Sequence, residues 1–474
     1  SIWTRDALAT LSIALSYFCF VFSKLYIAVI APALQYDDDR LHYDLEKHSK
    51  LLVVCGLTYG FSKLVNGALV DAFNPKYCYS IFITISSCCT LLLSFVHNIV
   101  PNDQDQVTKY YFILVVGMVN TYAQAGGWPA LSKYIYYTCT PEEYGKMFSC
   151  LSIGSRLGSI MVSIIVGTAL THLNWQGAVR IVATITIAGL PLIWVTDNMR
   201  PLSLRVSIHE YEHVRGVKPI NSNSYIQKCC DKTRLYCSWW CDRSFVFSLL
   251  SFALLGLLAS FELFLPLFLK DTVNPPSSAT AFMTAVLPFG VGTSIVFGSV
   301  FLEICPQTIR NGAVLVMLFL LFLCTVCIVF FTISASSGGY TDELMAQSTV
   351  LLLLFSYGLF LGYPYYVPPS LYALQYGGED AAMVMSMVDT ITAVFSAVFA
   401  SYGAKLASES WVLPVIILAF CGMCAFWLQF FNYFGSKSNR TSRNGISYSK
   451  LAASSGAPIY YAGRRTTNWK PLTI

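Results

Sequence analysis

Twelve long apolar runs limit this chain to membrane-spanning folds, because each run is long enough to cross a lipid bilayer as a helix. A membrane-spanning helix needs about 20 predominantly apolar residues. The runs cover residues 7–34, 49–71, 77–97, 109–135, 144–172, 175–196, 244–270, 277–302, 311–334, 346–374, 381–406 and 411–434. Only 12% of all residues are charged, whereas soluble domains carry about 25%. The sequence therefore predicts an all-α integral multi-pass membrane protein with twelve transmembrane helices.

The runs fall into two sets of six, separated by a long polar connection. We predict an N-terminal six-helix bundle in residues 1–196, a central loop in 197–243, a C-terminal six-helix bundle in 244–435 and a basic tail in 436–474. Two parallel halves of six helices are a known transporter architecture. Pro32 and Pro266 support two halves, since each lies five residues before an aspartate at the end of its half's first run.

The charges that flank the apolar runs are unevenly distributed. The central loop contains eight lysine and arginine residues, and the tail contains seven and no acidic residue. The first loop is instead rich in acidic residues, among them Asp37, Asp38, Asp39, Asp44 and Glu46. Cytoplasmic loops carry an excess of lysine and arginine, so we expect both termini and the central loop in the cytoplasm. The membrane is either the plasma membrane or that of an organelle.

Three cationic side chains, Lys24, Lys63 and Arg156, interrupt the apolar runs. A lysine or arginine at the centre of a bilayer costs about 2.5–3.5 kcal/mol on insertion scales. Such residues usually face a water-filled cavity, so we predict that Lys24 contacts a ligand or takes part in coupling. The alternatives are a Lys24 that snorkels or pairs with a carboxylate for packing alone, and an Arg156 that only ties backbone carbonyls together.

Three segments of the first half carry a recognisable pattern. They are residues 59–63 (Tyr-Gly-Phe-Ser-Lys) with Gly67, residues 124–133 around Gly-Gly-Trp-Pro, and the turn at 141–145. In these segments the chain resembles the organophosphate:phosphate antiporters of the major facilitator superfamily. That family includes bacterial glycerol-3-phosphate and hexose-phosphate antiporters and eukaryotic glucose-6-phosphate translocases. The similarity extends over residues 10–435 and is strongest in the first half.

The resemblance implies a phosphate-binding site formed by several helices. Lys24 falls at the position of the family's helix 1 arginine, and Tyr17 at a family tyrosine two turns earlier. The other substrate-binding residues that we expect are Tyr59 and Lys63 in the second run, Arg156 near the family's helix 5 histidine, and Tyr366 in a segment similar to the family's Tyr-Gly-Pro of helix 10. Lysine binds phosphate as a point charge, without the bidentate fork of arginine.

Helix 7 departs from the family pattern. The position of the family's second phosphate-binding arginine is Leu258, and Glu262 follows four residues later on the same helical face. Lys24 and Glu262 differ in depth by about 6 Å at a rise of 1.5 Å per residue, so we expect them to meet or to share a ligand. A site in which a lysine faces a glutamate suits a zwitterionic substrate or an anion that is transported together with a proton. Alternatively, Arg156 replaces, from another helix, the second phosphate-binding cation of the family. We assign coupling roles to Glu262 and to Asp389, a further buried acid for which a structural role stays open.

Two more charged residues lie at the predicted cytoplasmic ends of helices. Asp71 ends the second run, where it can pair with Lys76 across a short turn, and Lys133 ends the fourth run. We predict gating roles for Asp71 and Lys133. The alternative for Asp71 is an ordinary charge at the membrane interface.

Together these features predict a secondary active transporter that moves a small anionic organic solute by alternating access. The leading substrate class is a phosphorylated metabolite, such as a sugar phosphate or glycerol phosphate exchanged for inorganic phosphate. The alternatives are a proton-coupled amino-acid or carboxylate transporter, and a non-transporting sensor or subunit with a carrier fold. We expect a monomer without a cofactor. We expect no nucleic-acid binding, because the basic tail is short and adjoins the anionic inner leaflet.

The central loop contains two patterns that also occur in zinc sites. Residues 209–213 read His-Glu-Tyr-Glu-His, but the zinc-protease pattern needs a helix, an enclosed catalytic domain and a third ligand. The cysteines at 229, 230, 237 and 241 are near enough in sequence to bind zinc together. Trp239 and Trp240 beside them favour instead a segment at the membrane interface, where cysteines are sites for palmitoylation. We therefore expect neither enzymatic activity nor a metal site.

Overall fold

The structure, a computed structural model, describes residues 2–36, 43–100, 106–138, 144–199, 239–337, 343–377 and 381–440. Most of the central loop, the tail beyond residue 440 and the acidic stretch 37–39 lie outside these residues. The predictions for residues 209–213 and for the cysteines at 229, 230 and 237 therefore concern parts of the chain that the structure does not describe.

The described part of the first half, before residue 200, consists almost entirely of helices. They are α1 (Ile2–Val29), α2 (Ala31–Tyr36), α3 (Leu45–Ala72), α4 (Pro75–Leu93), α5 (Val96–Ile99), α6 (Gln106–Thr138), α7 (Tyr144–His172) and α8 (Trp175–Met199). The sequence explains the start of α4 locally, because the Asn74 side chain accepts a hydrogen bond from the backbone N–H of Lys76. Pro75 occupies the first turn of α4. Backbone N–H groups in the first turn have no acceptor within the helix, so the lack of an N–H on proline costs no hydrogen bond there.

The second half is also helical. Its described elements are α9 (Arg243–Ser260), a 3-10 turn (Phe261–Leu263), α10 (Leu265–Val273), α11 (Ser277–Thr284), α12 (Val286–Ile304), α13 (Gln307–Ser336), α14 (Glu343–Gly377), α15 (Ala381–Ala407) and α16 (Val412–Arg440). The largest buried apolar cluster is formed mainly by these helices, and two further clusters are formed mainly by the first half.

Ten helices in the described part of the chain are long and apolar enough to span a membrane. α3 and α6 are of comparable length, with 28 and 33 residues, but polar residues lower their hydropathy. These residues include Lys63 and Asn66 in α3 and Asn120 and Gln124 in α6. The predicted all-α membrane fold is confirmed, and the chain is an integral multi-pass membrane protein.

The first helix of each half is interrupted just before a proline. α1 ends at Val29 and Pro32 lies in α2; α9 ends at Ser260, and the 3-10 turn precedes Pro266. Proline has no backbone N–H, so the carbonyl four residues before it lacks a helical donor. In the second half that carbonyl belongs to Glu262. The repeated prolines therefore mark two matching interruptions, and Glu262 lies within one of them.

Close helix packing connects the halves. α3 packs on α15, and α7 packs on α11 and α12. The contact of α3 with α15 depends on Gly60, since a Cβ atom there would lie 2.8 Å from the Cβ of Ala393. A Cβ on Gly167 of α7 would lie 3.1 Å from the carbonyl oxygen of Ser278. Small residues at these positions let the two backbones approach each other closely.

A side-chain hydrogen bond from Tyr36 also joins the halves at the end of the molecule where α2 finishes, and Trp411 of the second half binds the same carboxylate. Tyr36 donates its hydroxyl to Asp271 Oδ1 over 2.6 Å, and Trp411 Nε1 donates to Asp271 Oδ2 over 2.9 Å. A polar cavity of about 1030 Å³ lies beside these three residues, and Val53 of α3 is part of its wall. We refer to Tyr36, Asp271 and Trp411 as the end cluster.

Candidate substrate site

Among the described residues, two ion pairs connect the halves within the membrane-spanning part of the protein. Lys63 of α3 pairs with Asp389 of α15. Arg156 of α7 places Nη1 3.6 Å from Oε2 of Glu262 in the 3-10 turn. In each pair the cation comes from the first half and the carboxylate from the second. A movement of one half against the other therefore changes both pairs.

Lys24 of α1 differs from the two paired cations in its exposure. Lys24 is exposed, whereas Lys63 is buried and Arg156 is partly buried. Lys24 Nζ lies 5.2 Å from the ring centroid of Tyr59, and Lys63 Nζ lies 5.1 Å from the same centroid. Among the residues that the structure describes, no carboxylate forms an ion pair with Lys24. Lys24 is therefore stabilised by a cation–π contact and remains available to an anion.

The Gly-Gly-Trp-Pro segment of α6 supports the site from one side. Trp128 packs against Tyr17, with ring centroids 5.6 Å apart. A Cβ on Gly127 would overlap the ring of Phe20 in α1, and a Cβ on Gly126 would overlap a ring of α4. The two glycines therefore let α6 pack closely on α1 and α4, and this packing brings Trp128 to Tyr17.

Two tyrosines of α14 lie near Arg156. The Tyr366 ring centroid is 4.9 Å from Arg156 Cζ and 4.6 Å from that of Tyr365. Pro364 and Pro368 flank these tyrosines inside α14, where each proline removes a helical hydrogen bond. Arg156 Nε is buried and has no hydrogen-bond partner among the residues that the structure describes. A guanidinium has five N–H donors, and that of Arg156 is only partly satisfied by the carboxylate that faces it.

The structure brings eight of the predicted site residues into one polar cluster. They are Tyr17, Lys24, Tyr59, Lys63, Arg156, Glu262, Tyr366 and Asp389. Tyr17 lies within electrostatic range of residues on three other helices, α3, α7 and α14. With every group in its usual ionisation state, three cations and two carboxylates leave the cluster with one net positive charge. The cluster can therefore hold an anion.

One expectation for helix 7 needs correction. Glu262 pairs with Arg156, and among the described residues it forms no ion pair with Lys24; a ligand shared by Lys24 and Glu262 stays a prediction. The depth estimate assumed a regular helix, whereas Glu262 lies in a 3-10 turn. The side chain of Leu258, which stands at the position of the family's second arginine, is fully buried, and its carbonyl oxygen accepts a 2.9 Å hydrogen bond from Tyr357.

The predicted gating residues lie away from this cluster. Lys133 Nζ donates to the carbonyl oxygen of Val70 over 2.8 Å, which links α6 to α3 within the first half. Lys76 Nζ lies 4.0 Å from the ring centroid of Trp194. The Asp71 side chain is outside the described part of the chain, so its pairing with Lys76 and its gating role stay predictions.

Four buried polar residues close to Lys24 were missed by sequence reasoning. They are Ser23, Ser86, Asn120 and Gln124, which hydrogen-bond to one another across three helices. Their only signal in the sequence is a polar side chain inside an apolar run. Within the described residues, no group of histidine, cysteine, aspartate and glutamate is arranged to hold a metal ion.

Known proteins resemble this chain in sequence over part of its length. A probable hexose phosphate transport protein of Chlamydia trachomatis (serovar D) is 26% identical over 205 residues, which are 43% of this chain and 41% of that protein. The membrane sensor protein UhpC of Escherichia coli (K12) is 22% identical over 213 residues, or 44% and 45% of the two chains. The glycerol-3-phosphate transporter of Bacillus subtilis is 25% identical over 167 residues, or 34% and 36%. The chain thus spans less than half the length of each relative, and the resemblance to organophosphate antiporters is confirmed.

Solved structures share the fold over nearly the whole chain. A D-xylose-proton symporter superposes with a TM-score of 0.63 at 12% identity, covering 90% of this chain and 97% of that one. A variant of the nucleoside transporter NupG gives a TM-score of 0.61 at 14% identity, with 90% and 100% covered. The family model described as Major Facilitator Superfamily matches residues 13–341. Since this match covers well over half of its length, the chain belongs to the major facilitator superfamily.

Proposed function

We propose that this chain is a secondary active transporter that exchanges a small phosphorylated metabolite, such as a sugar phosphate or glycerol phosphate, for inorganic phosphate. The proposal rests on the environment of Lys24. Its ammonium group is exposed within the transmembrane part and has no ion-pair partner among the described residues. A phosphoryl group offers the strong acceptor oxygens that such a donor binds. The names of two relatives, a hexose phosphate and a glycerol-3-phosphate transport protein, agree with this substrate class.

The three cations have different parts in this proposal. Lys24 binds the phosphoryl group first, with Tyr17 and Tyr59 beside it. Lys63 and Arg156 are held by carboxylates, so they reach the anion only when those carboxylates are displaced or protonated. Arg156 then supplies the second cation from α7, with Tyr366 against its guanidinium. This arrangement takes the place of the cation that is absent at Leu258.

Glu262 and Asp389 adjust the charge of the site. One net positive charge balances a singly charged phosphate ester, whereas a doubly charged ester leaves one excess negative charge. Uptake of one proton by a carboxylate restores neutrality, which matters because burying uncompensated charge is costly. We assign this proton to Glu262, because the 3.6 Å separation from Arg156 Nη1 is longer than a normal charge-assisted hydrogen bond.

Alternating access follows from rocking of residues 1–196 against residues 244–435. The end cluster joins the halves on one side of the site. With both termini in the cytoplasm, that side is external or luminal, and the site opens to the cytoplasm. Asp71 and Lys133 lie towards the cytoplasmic end of their helices and act in gating there. The protein works as a monomer.

Exchange in proteoliposomes tests this function. Purified protein is reconstituted into liposomes that contain labelled phosphate, and glucose 6-phosphate or glycerol 3-phosphate is added outside. We expect release of label in the wild type, loss of release in Lys24→Ala, and partial release in Lys24→Arg. Unimpaired exchange by Lys24→Ala would remove Lys24 from the site. Amino-acid or carboxylate uptake driven by a pH gradient, without phosphate release, would establish the proton-coupled alternative.

A second candidate function is a non-transporting sensor, because the membrane sensor protein UhpC is among the relatives. A sensor binds the solute without moving it. Substrate-dependent protection against thermal unfolding, combined with no flux in liposomes that contain folded protein, would favour the sensor. Any solute flux excludes it.

A further inference from the structure

We propose that Asn120 and Gln124 are positioning residues that hold Lys24 in the substrate site by fixing the rotation of α1. The inference rests on the proposed function, in which Lys24 binds the phosphoryl group. The amides hydrogen-bond to Phe20, Ser23 and Ser86, and none of these three residues belongs to the polar cluster. Both act on the backbone of α1 from α6.

The two amides bind carbonyl groups in the turn of α1 that precedes Lys24. Asn120 Nδ2 donates to the carbonyl oxygen of Ser23 over 2.7 Å. Gln124 Nε2 donates to the carbonyl oxygen of Phe20 over 3.2 Å. In an α-helix the carbonyl of Phe20 also accepts the backbone N–H four residues later, which belongs to Lys24. The two donor residues are about one turn apart on α6, and the two acceptor residues are about one turn apart on α1. The two hydrogen bonds therefore hold α1 against α6 at two points.

Ser86 of α4 connects the two amides to α1. Its Oγ lies 2.7 Å from Ser23 Oγ and accepts from Gln124 Nε2 over 2.7 Å. It also donates to Asn120 Oδ1. Ser23 and Ser86 are fully buried, and Asn120 and Gln124 are 6% and 7% exposed. The network therefore joins α1, α4 and α6 away from water.

The direction of Lys24 follows from the position of Ser23. Successive side chains on an α-helix are about 100° apart, because 3.6 residues make one turn. When the Ser23 side chain faces α4 and α6, the Lys24 side chain points about 100° away from it around the helix axis. The ring centroid of Tyr59 lies on that side, 5.2 Å from Lys24 Nζ. Apolar contacts between helices are not directional, whereas the hydrogen bonds to two backbone carbonyls hold only one rotation of α1. In enzymes, a misplacement of about 1 Å can cost 100-fold in rate.

The test compares apolar replacements of similar shape, Asn120→Leu and Gln124→Met, with the wild type in phosphate exchange. We expect the KM for phosphate to rise by about tenfold while the maximal rate changes by less than about threefold, as for a loss of ground-state binding. Ser86→Ala is a milder variant that should raise the KM less and keep the fold. An unchanged KM in all three variants would overturn the proposal.

Ser87 provides the matched control. It follows Ser86 on α4 and is also buried, but its hydroxyl donates to the carbonyl oxygen of Ala183 on α8 over 2.9 Å. Ser87→Ala therefore removes a buried hydroxyl without touching α1. We expect its KM to match that of the wild type. An equal rise in KM for Ser86→Ala and Ser87→Ala would identify a general packing effect and overturn the proposal.

Chemical protection of Lys24 separates positioning from a structural role. A membrane-permeant amine reagent is applied with and without inorganic phosphate, and modification of Lys24 is quantified by peptide mass spectrometry. We expect phosphate to protect Lys24 in the wild type and in Ser87→Ala, but not in Gln124→Met. Equal protection in Gln124→Met would overturn the positioning role alone. Absence of protection in the wild type would overturn the assignment of Lys24 to phosphate, and the positioning role with it.

Discussion

Lys63 on α3 and Asp389 on α15 form an ion pair to which each half of the protein contributes one charge. The Lys63 side chain is 8% exposed and that of Asp389 is 25% exposed, so both charges are largely withdrawn from water. Removing one partner of a buried pair costs about 3–5 kcal/mol, because the other charge stays uncompensated. The pair therefore stabilises the arrangement in which α3 packs on α15. Its opening requires a compensating anion or proton.

The Lys63→Ala protein should lose exchange and unfold at a lower temperature than the wild type, because Asp389 is left without its partner. The double variant Lys63→Ala/Asp389→Asn should regain much of the stability but not the exchange, since the uncompensated charge is gone and the cation is still missing. Thermal unfolding in detergent and phosphate exchange in liposomes measure the two properties. A double variant as unstable as Lys63→Ala would contradict this account of the pair.

Glu262→Gln should retain exchange and lose its dependence on pH, because glutamine resembles a protonated glutamate and cannot release a proton. The measurement is the initial rate of uptake at acidic and neutral pH, with and without a pH gradient. Loss of both exchange and pH-driven uptake would instead indicate recognition of a substrate amine by Glu262. If neither property changes, Glu262 is structural, and the case for a phosphate substrate becomes stronger.

Gly60→Val should impair transport strongly, because even a Cβ at this position would lie 2.8 Å from the Cβ of Ala393. The larger side chain forces α3 away from α15 and strains the Lys63–Asp389 pair. Gly67→Ala is the matched control on the same helix, since a Cβ there would have no described neighbour within 4 Å. Exchange rates and thermal unfolding of the two variants check the prediction. Equal effects of both substitutions would refute the role of close packing at Gly60.

Tyr36→Phe should favour opening of the end that carries the end cluster, because it removes the 2.6 Å hydrogen bond to Asp271. A hydrogen bond of this kind contributes about 0.5–1.5 kcal/mol, so the population of the open state should increase several-fold. The probe is Val53→Cys in the wall of the adjacent cavity, in a background without other reactive cysteines. Its modification by a membrane-impermeant maleimide should become faster.

Two further measurements make the Tyr36 experiment specific. Tyr402→Phe alters an exposed tyrosine and should leave the reactivity of Val53→Cys unchanged. A cysteine at Gly67, on the opposite side of the site, should become less reactive in Tyr36→Phe if the halves rock. Faster modification on both sides would count against alternating access.

The sequence alone predicted the helices and the cations of the polar cluster, because both depend on local properties. An apolar run long enough to span a bilayer forms a helix there wherever its neighbours lie. A lysine inside such a run carries a cost that calls for a polar partner or a cavity, and Lys24 does face Tyr59 in the site. The prolines at 32 and 266 indicated two matching halves, whereas the interruptions of α1 and α9 just before them are seen only in the structure.

Only the tertiary structure decided which charges meet. Lys63 and Asp389 are separated by 326 residues, and their contact exists because α3 and α15 pack closely at Gly60. Glu262 was assigned to Lys24 by counting along a regular helix, but it lies in a 3-10 turn and pairs with Arg156. The attraction between two charges falls with their separation, so an ion pair follows from the packing of distant helices and not from the spacing of its residues along the chain.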